Sequence, residues 1–280
     1  MRTVLFLSLL ALPGRSQDPD SASCATLMDA VGDSSEVCVE ALLKKGADPD
    51  AKDPGTGMTP LMMAAQEGHE AALRALLKGG ARPDLSDNNG ETALILAARA
   101  GKPGAAALLL GAGAKTTIPD FSGATPLMAA VQSGSVAVER ELLSRGADPN
   151  AADQSKTTPL MSAVSGGDAA SARLLLLFGA NVDLKDGAGK TALEIARDQS
   201  RAALAKLLRP FVREGMTPLM FAAREGDAAV IRYWLKRGAS ASAKDARGRT
   251  AYDYAAAARR TEAMALLSPK LSGKAERGDR

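Results

Sequence analysis

From Leu27 onward, short apolar runs at helical spacing alternate with polar, glycine-bearing breaks, and the pattern returns every 33 residues. Thr59, Thr92, Thr125, Thr158 and Thr191 mark that period, and the same interval separates Thr217 from Thr250. Each threonine is followed by Pro or Ala and then Leu or Tyr, most fully in Thr59-Pro60-Leu61-Met62 and Thr217-Pro218-Leu219-Met220. Threonine caps a helix, and proline in the first turn sacrifices no hydrogen bond, so each motif predicts a helix start. A polar or glycine turn, such as Gln66-Glu67-Gly68-His69, then reverses the chain into a second helix. That helix ends in a leucine pair, for example Leu76-Leu77 or Leu142-Leu143, followed by a glycine suited to a left-handed stop. Gly-Ala-x-x-Asp/Asn comes next, as in Gly46-Ala47-Asp48-Pro49-Asp50, and leads into hairpin-type turns such as Asp87-Asn88-Asn89-Gly90.

One helix pair cannot bury its own apolar stripe, whereas a stack of pairs can. The period divides the chain into eight units: 24–57, 58–90, 91–123, 124–156, 157–189, 190–215, 216–248 and 249–267. These motifs resemble the ankyrin repeat, with its Thr-Pro-Leu-His start and Gly-Ala-Asp-x-Asn loop. The resemblance implies an all-α solenoid of helix-turn-helix units with hairpin-like finger loops, about 70 Å long at ~9 Å per unit if unbroken. It divides the repeats into units 1–6 (24–215) and units 7–8 (216–267). The sixth unit is irregular. It is short, lacks the Gly-Ala finger, and carries Arg209-Pro210 where the second helix should end. A stop at that proline and an altered stacking angle near 209–215 are expected.

Residues 1–16 begin with Arg2, continue through an apolar run from Val4 to Leu12, and break at Pro13-Gly14. This is the pattern of a secretory signal peptide cleaved before Gln17, its apolar stretch too short to span a bilayer. A polar linker (17–23) follows, and residues 268–280 form a polar tail expected to be disordered. An exported, periplasmic or secreted protein is expected.

Composition narrows the chemistry. Apolar residues make up 46%, yet there are only one Trp, three Tyr and five Phe, so the interior is built from Ala, Leu, Val and Met. The net charge of +3 falls to +1 without Arg2 and Arg15, which points to neither nucleic acid nor membrane. One His and two Cys leave no metal-ligating or nucleophilic constellation, so no catalytic residue, metal or cofactor is expected. His69, in the Gly-His position of the inter-helix turn, is read as structural. Met28, Met62, Met128, Met161 and Met220 stand where the resemblance places its hallmark His and form an interior seam. Cys24 and Cys38 are candidates for a disulfide in an oxidising compartment. Their places at opposite ends of antiparallel helices lean the reading toward two unpaired thiols.

The resemblance implies a protein partner held on the concave side. The finger-tip candidates are Asn88, Asn89, Phe121, Gln154 and Arg247; the helix-side candidates are Gln66, Arg99, Gln132 and Arg224. Phe121 is an aromatic at a turn tip, which suits either an interface anchor or packing over the neighbouring finger. Trp234, in a second helix where other units have leucine, is assigned to the core. The expected protein is a monomeric, non-catalytic module that binds and stabilises or regulates a partner. An effector acting on another cell's protein and a purely structural spacer are the alternatives.

Overall fold

The computed structural model describes residues 25–268, and within them sixteen helices form eight antiparallel pairs with no strand. The first four are α1 (Leu27–Gly32) with α2 (Glu36–Lys44), α3 (Pro60–Glu67) with α4 (Glu70–Lys78), α5 (Ala93–Arg99) with α6 (Pro103–Gly111), and α7 (Pro126–Ser133) with α8 (Val136–Ser144). The remainder are α9 (Pro159–Gly166) with α10 (Ala169–Leu177), α11 (Ala192–Asp198) with α12 (Ala202–Glu214), α13 (Pro218–Glu225) with α14 (Ala228–Lys236), and α15 (Ala251–Ala257) with α16 (Thr261–Leu267). The signal-like segment, the linker, Cys24 and nearly all of the polar tail lie outside the described residues.

The repeated threonine caps its helix in every unit from the second onward. Its Oγ1 accepts the N–H three residues ahead, at 3.3 Å from Met62 and Met161 and 3.4 Å from Met128. The methionines do more than pack. The Sδ atoms of Met62, Met161 and Met220 accept the backbone N–H of Thr59, Thr158 and Thr217 at 3.3–3.4 Å, closing a capping box with sulfur as a weak acceptor. Met62, Met128, Met161 and Met220 are buried. Met28 does not join them: Thr26 caps α1 in the common register, 33 residues before Thr59, so the place of Met62 falls to Asp29, and Met28, one position earlier, is only half-buried.

First helices pack in series from α1 to α11, second helices do the same from α2 to α12, and the last two units pair in the same way. The shared interior contains Leu73, Leu94, Leu109, Leu127, Leu142 and Leu175, all fully buried. His69 fastens the first two units. Its Nδ1 lies 2.9 Å from the Val31 carbonyl and must therefore carry the proton, while Nε2 meets Ser34 Oγ at 2.7 Å. Arg201 and Arg260, in the same turn of later units, donate to the carbonyls of Ser165 and Arg224 at the ends of the preceding first helices, where a cation suits the helix dipole.

Among the described residues, Glu139 on α8 is the one acidic side chain fully buried between second helices. Its Oε1 lies 2.5 Å from Ser171 Oγ, and Ser171 Oγ lies 2.7 Å from Asp168 Oδ2. The Ser171 hydroxyl is shared between two acceptors, Glu139 Oε1 and Asp168 Oδ2, while the other Asp168 oxygen caps α10. Burial pushes the Glu139 carboxyl above its usual range, the Ser171 contact opposes that, and the Asp168 charge adds to it.

The sixth unit breaks the stacking series near 209–215 as expected, but without the expected helix stop. Its second helix does not stop at Pro210; α12 runs through the proline for thirteen residues and closes at Gly215 in the left-handed conformation. The bond lost is only the one to the carbonyl of Lys206, an exposed residue that water can reach. The extra turn is held by Phe211, whose ring meets buried Phe221 edge-on with centroids 5.1 Å apart. Only Gly215–Thr217 connect α12 to α13, where the other units use fourteen or fifteen residues. With no finger to space it, α13 packs against α10 of the fifth unit, and the α11–α13 contact that would continue the row is not among the packed helix pairs. Trp234 belongs to this joint rather than to its own unit's core. It is half-buried, its Nε1–H donates to the Leu177 carbonyl at 2.8 Å, and its ring lies over Gly179. Arg140–Asp227 at 3.3 Å and Arg173–Glu225 at 3.1 Å cross the same boundary.

The disulfide expectation also needs correction. Cys38, buried in the first turn of α2, is disulfide-bonded rather than an unpaired thiol, while Cys24 lies outside the described residues.

Two outcomes follow from this packing. Trp234→Phe keeps a ring on Gly179 but strands the Leu177 carbonyl, so urea melts followed by far-UV circular dichroism should show a loss of about 1 kcal/mol. Glu139 has a raised folded-state pKa, so its contribution to stability is complete below about pH 4.5 and declines as pH rises through the folded value. Glu139→Gln should remove that decline and be more stable than the parent at pH 7, measured by melting temperature across pH 4–8.

Candidate partner-binding surface

The finger loops share one device. Asp87, Asp120, Asp153, Asp186 and Asp245 each accept the backbone N–H groups two and four residues ahead through Oδ1, at 2.8–2.9 Å. This holds the turn in hairpin form without a sheet. Fingers are then tied to one another. Asn88 N–H donates to the Thr56 carbonyl, Phe121 to Asn89, Gln154 to Ser122 and Gly187 to Ser155, at 2.8–3.1 Å. Every link spans 32 residues. The same interval appears once more, from Ala246 N–H to the carbonyl of Glu214 at 2.8 Å. The end of α12 thus takes the place of the finger that the sixth unit lacks.

This framework sorts the nine candidates. Asn88 and Gln154 are committed, since Asn88 Nδ2 donates to the Gly55 carbonyl at 3.0 Å and Gln154 Nε2 to the Phe121 carbonyl at 2.7 Å. Arg99 is committed too, bridging Glu91 at 2.5 Å and Asp120 at 3.3 Å. Burial raises the Glu91 carboxyl above its ordinary range against the pull of Arg99. Gln66, Asn89 and Gln132 are exposed, with no side-chain hydrogen bond within the chain. Gln66 and Gln132 stand in one row with Arg99, each 33 residues from the next.

Phe121 sits at the middle of this surface. Its N–H is spent on Asn89 and the edge of its ring approaches Gly90 of the neighbouring finger, yet the side chain is 70% exposed. The expected packing over the neighbouring finger is therefore present, and it leaves much of the ring exposed.

Arg224 and Arg247 lie apart, at the joint. Arg224 stacks 4.8 Å over the Phe221 ring and pairs with Glu225, while Arg247 pairs with Glu214 at 2.7 Å. Beneath them Asp245 accepts from Arg249 Nε at 2.8 Å and from Tyr254 Oη at 2.7 Å. Burial works against ionisation of Asp245, but these donors and the two backbone N–H groups outweigh it and hold the carboxyl far below its usual range. Burial and the bond to Asp245 push the Tyr254 phenol up to about 12. Sequence reading missed the cations of α12, Lys206, Arg209 and Arg213, although their spacing of three and then four residues was a visible signal of one helix face.

Among the described residues no group of three His, Cys, Asp or Glu side chains could hold a metal ion, and no helix is long and apolar enough to cross a membrane.

Fold and surface together define a helical-repeat scaffold that offers loop tips and one helix row for contact. The family model described as ankyrin repeats (3 copies) matches residues 27–120 and 127–211, and that described as ankyrin repeats (many copies) matches residues 212–255. The chain belongs to the ankyrin repeat family, whose members are generally protein–protein interaction modules. The boundary between the last two matches falls inside α12, at the joint. No curated protein matches the chain.

With most of its ring already in water, Phe121→Ala should change unfolding free energy by no more than about 0.5 kcal/mol. A chemical denaturation curve superimposable on that of the parent checks this.

Proposed function

We propose that this is an exported, non-catalytic interaction protein that binds a partner protein across its first-helix row and finger tips, and thereby stabilises or regulates it. The observation that carries the reading is the exposed Phe121 face, beside the uncommitted Asn89, on fingers locked at fixed spacing by backbone bonds; Gln66 and Gln132 are exposed and equally uncommitted on the first helices. Rigid loops presenting an aromatic anchor lose little entropy on binding. Arg99 on the same surface is already paired with Glu91 and Asp120 and is not a free charge there.

Export is supported by the pattern of residues 1–16 and by the disulfide at Cys38, a bond that persists in oxidising compartments.

The test is affinity capture of the processed protein from the compartment where it accumulates, repeated with Phe121→Ala and with Gln132→Arg. Each substitution should deplete the captured partner about tenfold or more, and the processed chain should begin at Gln17. Arg99 is a poor choice for this purpose, because its loss would also strip Glu91 and Asp120 of their counter-ion. Undiminished capture by both variants would move the binding face elsewhere, and a mature chain still beginning at Met1 would remove the case for export.

A further inference from the structure

The break at the sixth unit opens a cleft of about 690 Å³ between α10, α12, α13 and the last finger. Six cations line it: Arg173, Lys206, Arg209, Arg213, Arg224 and Arg247; Glu214 is the only anion. Three of the six are offset by neighbouring acids, Arg173 and Arg224 by Glu225 and Arg247 by Glu214. The other three have no ion pair or hydrogen bond among the described residues. Lys206, Arg209 and Arg213 lie along one face of α12, so the helix extension through Pro210 is what lengthens the stripe. The floor between them is apolar, formed by Ala203, Leu207, Pro210 and Ala246. In a protein whose total charge is +3, such concentration is local rather than a general property of the surface.

We infer that this cleft binds an acidic peptide segment of a partner protein, with carboxylates on the α12 stripe and small apolar side chains on the floor between. Uncompensated like charges on one helix repel one another, and a ligand carboxylate relieves that repulsion while gaining charge-assisted bonds. An apolar floor is of no use to a bare polyphosphate, and the patch is too short for the continuous basic stripe that tracks a nucleic-acid backbone. The chain's own tail is not the occupant, since residues 268–280 carry four cations against two anions. The inference rests on the proposed interaction function and assigns the class of partner, at a site separate from the Phe121 face.

The test uses the full processed chain and a fluorescein-labelled nonapeptide of three Glu-Glu-Leu repeats, followed by fluorescence anisotropy. Binding should saturate and weaken about tenfold or more as salt is raised from 50 to 500 mM, as expected of exposed charges. The same peptide with glutamine for glutamate should not bind. The triple variant Lys206→Gln, Arg209→Gln, Arg213→Gln should bind the acidic peptide about tenfold or more weakly, with an unchanged circular dichroism spectrum. Equal binding of the glutamine peptide, equal binding by the triple variant, or no saturable binding at all would overturn the inference. So would tighter binding of tripolyphosphate or of a single-stranded oligonucleotide of equal charge. A chain that fails here but still captures a partner sensitive to Phe121→Ala refutes the cleft alone. Peptide binding without any captured partner refutes the wider reading instead.

Discussion

No helix pair in this protein can shield its own apolar stripe, and every other feature answers to that constraint. Burial is completed across unit boundaries, so leucines such as Leu73, Leu109 and Leu142 reach full burial only because a neighbouring pair lies against them. The small side chains that dominate the interior allow that close approach. Threonine caps, methionine sulfurs and left-handed glycines set the length and direction of each helix, so that successive stripes meet in register. The finger bonds, one every 32 residues, are a second and independent fastening on the opposite edge of the stack.

The irregular unit shows which parts of this scheme can be spared. Deleting the finger removes the spacer between α12 and α13, and the chain compensates with three substitutes. Glu214 takes over the finger's place in the backbone ladder, Phe211 fills the space beside Phe221, and α13 settles on α10. The polar cluster of Asp245, Arg249, Tyr254 and Glu214 then locks the last finger to the end of α12. The same displacement leaves a concave gap lined with arginine and lysine, where the regular units have closely packed surface.

Much of this was legible because the repeat motifs act locally. A Thr-Pro pair caps a helix wherever it stands, and glycine after a leucine pair stops one, so the helix pairs and the abnormality of the sixth unit could be read from the chain. The passage of α12 through Pro210 could not, because proline costs one hydrogen bond and the compensating Phe211 contact is with a residue on another helix. The docking of α13 on α10 was hidden for a related reason: it depends on which surface lies within reach of a three-residue connector. Among surface residues, Phe121 was recognisable from its place at a turn tip. Asn88 and Gln154 were not separable from Asn89, since a free amide and one spent on the neighbouring finger are identical in sequence. Met28 was misassigned because it stands one position before the column: counted in 33-residue steps from Met62, the place in unit one is Asp29.

Stacked repeats ordinarily communicate only with immediate neighbours, so a disturbance must travel link by link along the column. The bond from Trp234 to Leu177 and the seat of α13 on α10 make a bypass that joins the seventh unit to the fifth directly. Force or strain applied at the C-terminal end is therefore shared by two routes, one through α12 and one around it. A local loosening of the sixth unit need not uncouple the two ends of the column.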